Sequence, residues 1–109
     1  MGSLTADLRP STFSSNGWWV DCSTVGEGIL STFVEGEQSP DFTPDPQSFP
    51  ESSFARWSGT SFAAPQVAGA IARLMHERGI GPRDAYVQLL ATGTPLPDFG
   101  QAFSILPGV

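Results

Sequence analysis

Between Ser61 and Arg78, Val67, Ala68, Ile71, Leu74 and Met75 recur at the i, i+3, i+4 spacing of one helical stripe. Ala63, Ala64, Gly69, Ala70 and Ala72 keep most of the remaining surface small. The pattern predicts a helix packed closely on nearly every side, at least as far as Arg73. It begins almost at Ser61, because Pro65 lacks an N–H and disrupts least in the first turn or just beyond it. Arg78 complements the negative dipole end and Gly79 can take a positive φ, so the helix stops there. A second helix runs between Gly81 and Gly93. Pro82 stands at its first position and Asp84 in its first turn, with Ala85, Val87, Leu89 and Leu90 as the apolar face and Tyr86 and Gln88 toward solvent.

Short apolar runs predict strands at Trp18 to Ser23, Ile29 to Val34, Phe54 to Ser58 and Phe99 to Leu106. In the first, alternation puts Trp18, Val20 and Cys22 on one face. Pro95 and Pro97 force an extended connector before the last strand, and Pro107 closes it. The span from Glu35 to Ser53 carries Pro40, Pro44, Pro46 and Pro50, so neither a helix nor a central strand persists through it. Residues 35–53 therefore read as an acidic, proline-rich surface loop inserted between two strands. The mixture of helices and strands is that of an α/β protein.

Charge and composition narrow the function. The chain of 109 residues is 39% apolar and has a formal net charge of −6. Glu27, Glu35, Glu37, Asp41, Asp45 and Glu51 lie between Arg9 and Arg56 with no basic residue among them, which disfavours nucleic acid as a partner. No apolar run approaches the length of a membrane span, so no membrane partner is expected. Met1 leads into Gly2-Ser3-Leu4-Thr5-Ala6, without the basic and apolar stretches of a signal peptide. A lone cysteine, Cys22, forms no internal disulfide and reads as a buried free thiol. The acidic loop invites calcium or a place on the rim of a substrate cleft, but its carboxylates lack the dense spacing of a calcium loop. No cofactor or metal is expected.

The candidate chemistry lies in Gly59-Thr60-Ser61-Phe62-Ala63-Ala64-Pro65-Gln66-Val67-Ala68-Gly69. It places a serine at a helix N-terminus, where the first N–H groups lack intrahelical acceptors and the dipole favours developing negative charge. Serine is also a common helix cap with no other duty, but capping does not account for the glycine, threonine and proline around it. The hydrolase pattern Gly-x-Ser-x-Gly fails at Ala63. The string resembles the serine motif of the subtilisin-like peptidases, the subtilases, usually Gly-Thr-Ser-x-Ala-x-Pro-His-x-x-Gly. Gly59, Thr60, Ser61, Ala63, Pro65 and Gly69 meet it, and Gln66 stands where the family usually has histidine. The resemblance implies that Ser61 is the nucleophile, with backbone support for the oxyanion at Thr60 and Ser61. Phe13 to Asp21, Cys22 to Thr32, Gly81 to Gly93 and Phe99 to Phe103 resemble further subtilase segments, so nearly the whole chain is covered.

In subtilase order the catalytic aspartate, the histidine and the oxyanion asparagine precede the serine. With serine at position 61 the resemblance implies the C-terminal portion of a catalytic domain, residues 1–109. His76, the only histidine, lies fifteen residues after Ser61 on the same helix, about 22 Å away at helical rise, and cannot be its base. The fold implied is a C-terminal fragment of a subtilisin-like three-layer α/β fold with a mostly parallel sheet, helices covering both faces of the whole domain. The function implied is serine endopeptidase chemistry that needs the upstream part of the domain as partner and takes peptide or protein substrates. The chain alone should be inactive. A secreted or extracellular location goes with the resemblance. The alternative is a non-catalytic remnant kept as a packing or binding module.

Overall fold

The computed structural model describes residues 1–106. In chain order the elements are β1 (Gly2–Leu4), β2 (Cys22–Val25), β3 (Ile29–Thr32), β4 (Gly36–Glu37), β5 (Ser48–Phe49), β6 (Phe54–Trp57), α1 (Thr60–Arg78), α2 (Pro82–Ala91), β7 (Thr94–Leu96) and β8 (Gly100–Phe103). The central sheet has the order β1-β2-β8-β7. The β1–β2 and β2–β8 pairs are parallel and β7–β8 is antiparallel, so the sheet is mixed and mostly parallel. β3 and β6 form a separate antiparallel pair, as do β4 and β5.

Both helices bring apolar side chains to one face of the central sheet, where Val67 and Leu89 meet Cys22 and Phe103. Leu4, Phe99 and Ala102 cluster separately, and Ala102 and Phe103, adjacent on β8, serve the two clusters from opposite faces. The middle of the sheet is small and polar, and its hydroxyls are paired. Ser23 Oγ donates to Phe99 O (2.7 Å), Thr24 Oγ1 to Phe103 O (2.9 Å), and the Ser3 and Ser11 hydroxyls share a hydrogen bond of 3.0 Å. Left unpaired, each would cost about 1–3 kcal/mol.

Several elements differ from their expected form. Trp18 is 89% exposed because Val20 N–H closes a turn onto Gly17 O (3.1 Å), and the strand starts only at Cys22, where β8 supplies a partner. Val20 and Cys22 are buried as the alternation implied. Thr94–Leu96, read as a connector, is the strand β7, and Pro95 is tolerated because β7 is an edge. Pro107, expected to close the last strand, lies outside the described residues. In α2, Val87 is exposed whereas Tyr86 and Gln88 are half-buried, the latter receiving a hydrogen bond from Arg78 of α1. Residues 35–53 are not wholly irregular, since β4 and β5 form a minimal ladder extended by Gln38 N–H to Gln47 O (2.9 Å).

α1 ends as expected, with Gly79 at φ 62° and its N–H on Met75 O (2.9 Å). Its packing is less complete than the pattern implied. Only Ala63 and Val67 are buried, Ile71 and Leu74 are half-buried, and Ala64, Ala68 and Ala72 face solvent. The large apolar residues meet the sheet and α2, so the uncovered side is the one with small residues.

Gly100 shows how closely the strands approach. Its φ is +65°, and a Cβ there would fall on the Asp21 carbonyl, the acceptor of Gln101 N–H. Gly100→Ala is expected to destabilise the fold by about 2–4 kcal/mol, from the left-handed backbone and the overlap together. Urea unfolding checks this, and an unchanged midpoint would contradict it.

Burial raises the pKa of the Cys22 thiol, whose Sγ donates to Met1 Sδ at 3.7 Å. Burial, followed by the Asp21 carboxylate, raises that of Tyr86. Below the unfolded thiol's pKa of about 8.5 both states keep their protons and stability is full. Above it the unfolded chain ionises first, so stability falls as pH rises through the folded value. Urea midpoints are expected to drop between pH 7 and pH 10, less steeply in Cys22→Ala; equal slopes in the two proteins would exclude the thiol as a cause.

Candidate functional site

The β3–β6 ladder pairs Ile29 with Trp57 and Thr32 with Phe54, and it delivers the chain to Ser58 at the edge of the site. Gly28 N–H donates to Ser58 Oγ (2.8 Å) and Arg56 Nη1 to Gly28 O (2.8 Å), closing that end of the ladder. The chain then reverses through Gly59, whose φ of 156° and ψ of 159° belong to a region open essentially to glycine alone. Gly59 N–H donates to Gly26 O (2.7 Å), so the loop after β2 holds the turn from beneath. Gly26 itself has no room for a side chain, since a Cβ would lie 2.8 Å from Gly59 O.

Thr60 and Ser61 are the first two residues of α1. Their N–H groups precede that of Phe62, the first that the turn uses (Phe62 N to Gly59 O, 3.0 Å), and so have no intrahelical acceptor. Ser61 is exposed. Pro65 removes the N–H that would have bonded the Ser61 carbonyl four residues back. Ala63 is fully buried beneath the turn. Pro65 and Gly69 lie on the exposed part of the helix, and a Cβ at Gly69 would meet nothing within 4 Å. The structure thus joins Gly59, Thr60, Ser61 and Ala63 in one turn and leaves Pro65 and Gly69 with open surface.

Aromatic rings brace the turn from the strand side. Phe62 stacks on Trp57 (centroids 6.0 Å apart, 19° between planes), Trp57 meets Phe33 at 5.7 Å, and Phe33 meets Phe49 of β5 at 4.6 Å. The acidic excursion of residues 35–53 is thereby linked to the residue after Ser61, a connection that no local sequence signal announces. Beside α1 an open groove of about 850 Å³ runs past Phe62, Gln66, Ala70 and Leu74 toward Ile105.

Among the described residues no side chain hydrogen-bonds to Ser61. His76 is exposed in the last turn of α1, at the far end of the helix. No group of three or more His, Cys, Asp or Glu side chains gathers as a metal site among the described residues. No described helix is long and apolar enough to cross a membrane. What the arrangement offers is an exposed hydroxyl at a helix start, beside N–H groups free to receive an oxyanion.

The chain is 32% identical over 102 residues to an intracellular serine protease of Paenibacillus polymyxa, an alignment covering 88% of this chain and 26% of that protein. It is 31% identical over 94 residues to an extracellular protease of Xanthomonas campestris pv. campestris, covering 86% of this chain and 15% of that protein. The chain thus spans about a quarter or less of the length of these relatives. One is named intracellular and the other extracellular, so kinship does not fix a compartment. Residues 2–100 match the model of the Subtilase family, and with most of its length inside that match this chain belongs to the subtilases.

Proposed function

We propose that this chain is the C-terminal portion of a serine endopeptidase catalytic domain and that Ser61 is its nucleophile. The observation that carries the reading is the strand–turn–helix geometry, which leaves Ser61 exposed at the start of α1 with unbonded N–H groups beside it. Ser61 Oγ attacks the scissile carbonyl and the Ser61 N–H supplies part of the oxyanion hole. A histidine held by an aspartate, both from the upstream part of the domain, takes the serine proton and passes it to the leaving amine. Water then hydrolyses the acyl-enzyme. Gly59 sets the turn, Ala63 lets it sit against the sheet, and Pro65 and Gly69 shape the surface on which the upstream part packs. The substrate is a peptide or protein, and the chemistry draws on side chains and backbone N–H groups without a metal.

The test is covalent labelling of the full-length protein with a fluorophosphonate. The expected label lies on the peptide containing Ser61 and is absent from Ser61→Ala. A label mapped to another serine would overturn the assignment.

A further inference from the structure

Gln66 stands one turn beyond Ser61, at the motif position that subtilases usually fill with histidine. Its Nε2 donates to Val25 O (2.8 Å) and to Phe62 O (2.7 Å). The two acceptors belong to the two segments that make the serine turn. Val25 ends β2 and precedes Gly26, whose carbonyl receives Gly59 N–H, while Phe62 directly follows Ser61. The paired carbonyls also fix the orientation of the amide, since its oxygen turned toward them would set acceptor against acceptor. Oε1 is buried and has no donor among the described residues.

We propose that Gln66 is a positioning residue for Ser61. This rests on the reading of Ser61 as nucleophile. One NH2 group ties the first turn of α1 to the end of β2, and it works together with the Gly59–Gly26 hydrogen bond, whose acceptor is the next carbonyl along the chain. The Phe62 bond lies within α1 and holds the amide in place, while the Val25 bond crosses to β2, so the helix start cannot rotate relative to β2 without breaking it, and the directions of Ser61 Oγ and Ser61 N–H are set by the sheet. An amide supplies both donors at any pH. A neutral imidazole has a single N–H, and a carboxyl group has a donor only while protonated.

Steady-state kinetics and fluorophosphonate labelling of the full-length enzyme test this with three substitutions. Gln66→Leu keeps approximate volume but no donor, and is expected to lower kcat by about tenfold or more with KM within about twofold of wild type. Gln66→His restores one donor and should recover most of that loss. Gln66→Glu is its own folding control. Burial favours the protonated carboxyl, which donates, so its kcat relative to wild type is highest at low pH and falls as pH rises through the carboxyl's raised pKa. A pH-independent ratio for Gln66→Glu, or wild-type kcat in Gln66→Leu, would overturn the positioning role while Ser61 labelling stands. Absence of label on Ser61 in the wild type would instead remove the nucleophile reading, and the positioning role with it.

Discussion

Ser61→Ala in the full-length protein is expected to lower kcat by about five to six orders of magnitude while leaving the fold intact. Losses near that size are typical when the nucleophile of a cooperating triad is removed, because base and nucleophile act as a unit. The structure gives the second half of the expectation. Ser61 is exposed, no described side chain hydrogen-bonds to it, and it occupies the second position of a helix that alanine favours at least as well. Stability should stay within about 0.5 kcal/mol of wild type. The remaining N–H groups still polarise a bound carbonyl, so a residue of catalysis above the uncatalysed rate persists. Peptide hydrolysis measured beside thermal unfolding checks both halves. A variant retaining a tenth of wild-type activity would show that another group attacks the substrate.

The parts of this structure that the sequence foretold are those written locally. α1 is legible because its apolar stripe, Pro65 near its start and Gly79 at its end all lie within one helix, and Gly79 takes the left-handed conformation that its place implied. Ser61 is legible because a helix start exposes N–H groups whatever the rest of the chain does. The elements missed or misread depend on distant partners. β1 is three residues long and exists only through its parallel ladder with β2, from Gly2 with Ser23 to Leu4 with Val25. The alternation through Trp18 and Val20 suggested a strand, but no neighbouring strand reaches that far, and a turn at Gly17 claims those residues instead. The Gln66 tie spans the 41 positions from Val25, and nothing around residue 66 reveals that the end of β2 lies within reach. The aromatic link from Phe49 to Phe62 is hidden for the same reason, since β3 and β6 must first pair across the acidic excursion.

The 109-residue chain alone is expected to hydrolyse no peptide at an enzymatic rate. A serine hydroxyl stays protonated at neutral pH and attacks poorly without a base, and His76 is at the wrong end of α1 to serve. Under the proposed reading, the N–H groups at the helix start would supply only part of an oxyanion hole. The same incompleteness shows in the packing. Val67 is buried and Ile71 and Leu74 are half-covered, so the apolar stripe is not the side left open. The exposed side of α1 instead carries Ala64, Ala68 and Ala72 beside Ser61, small residues that let another element approach the backbone closely. The open groove past Phe62 and Leu74 adds apolar surface to it. The isolated chain should therefore self-associate and bind a hydrophobic dye. Joining it to the upstream part of a subtilase domain, with its aspartate, histidine and asparagine, should suppress dye binding and restore hydrolysis together, because one docking event covers α1 and brings the base to Ser61. Purified chain that cleaved casein by itself, and lost that activity on Ser61→Ala, would show that a base lies within these 109 residues.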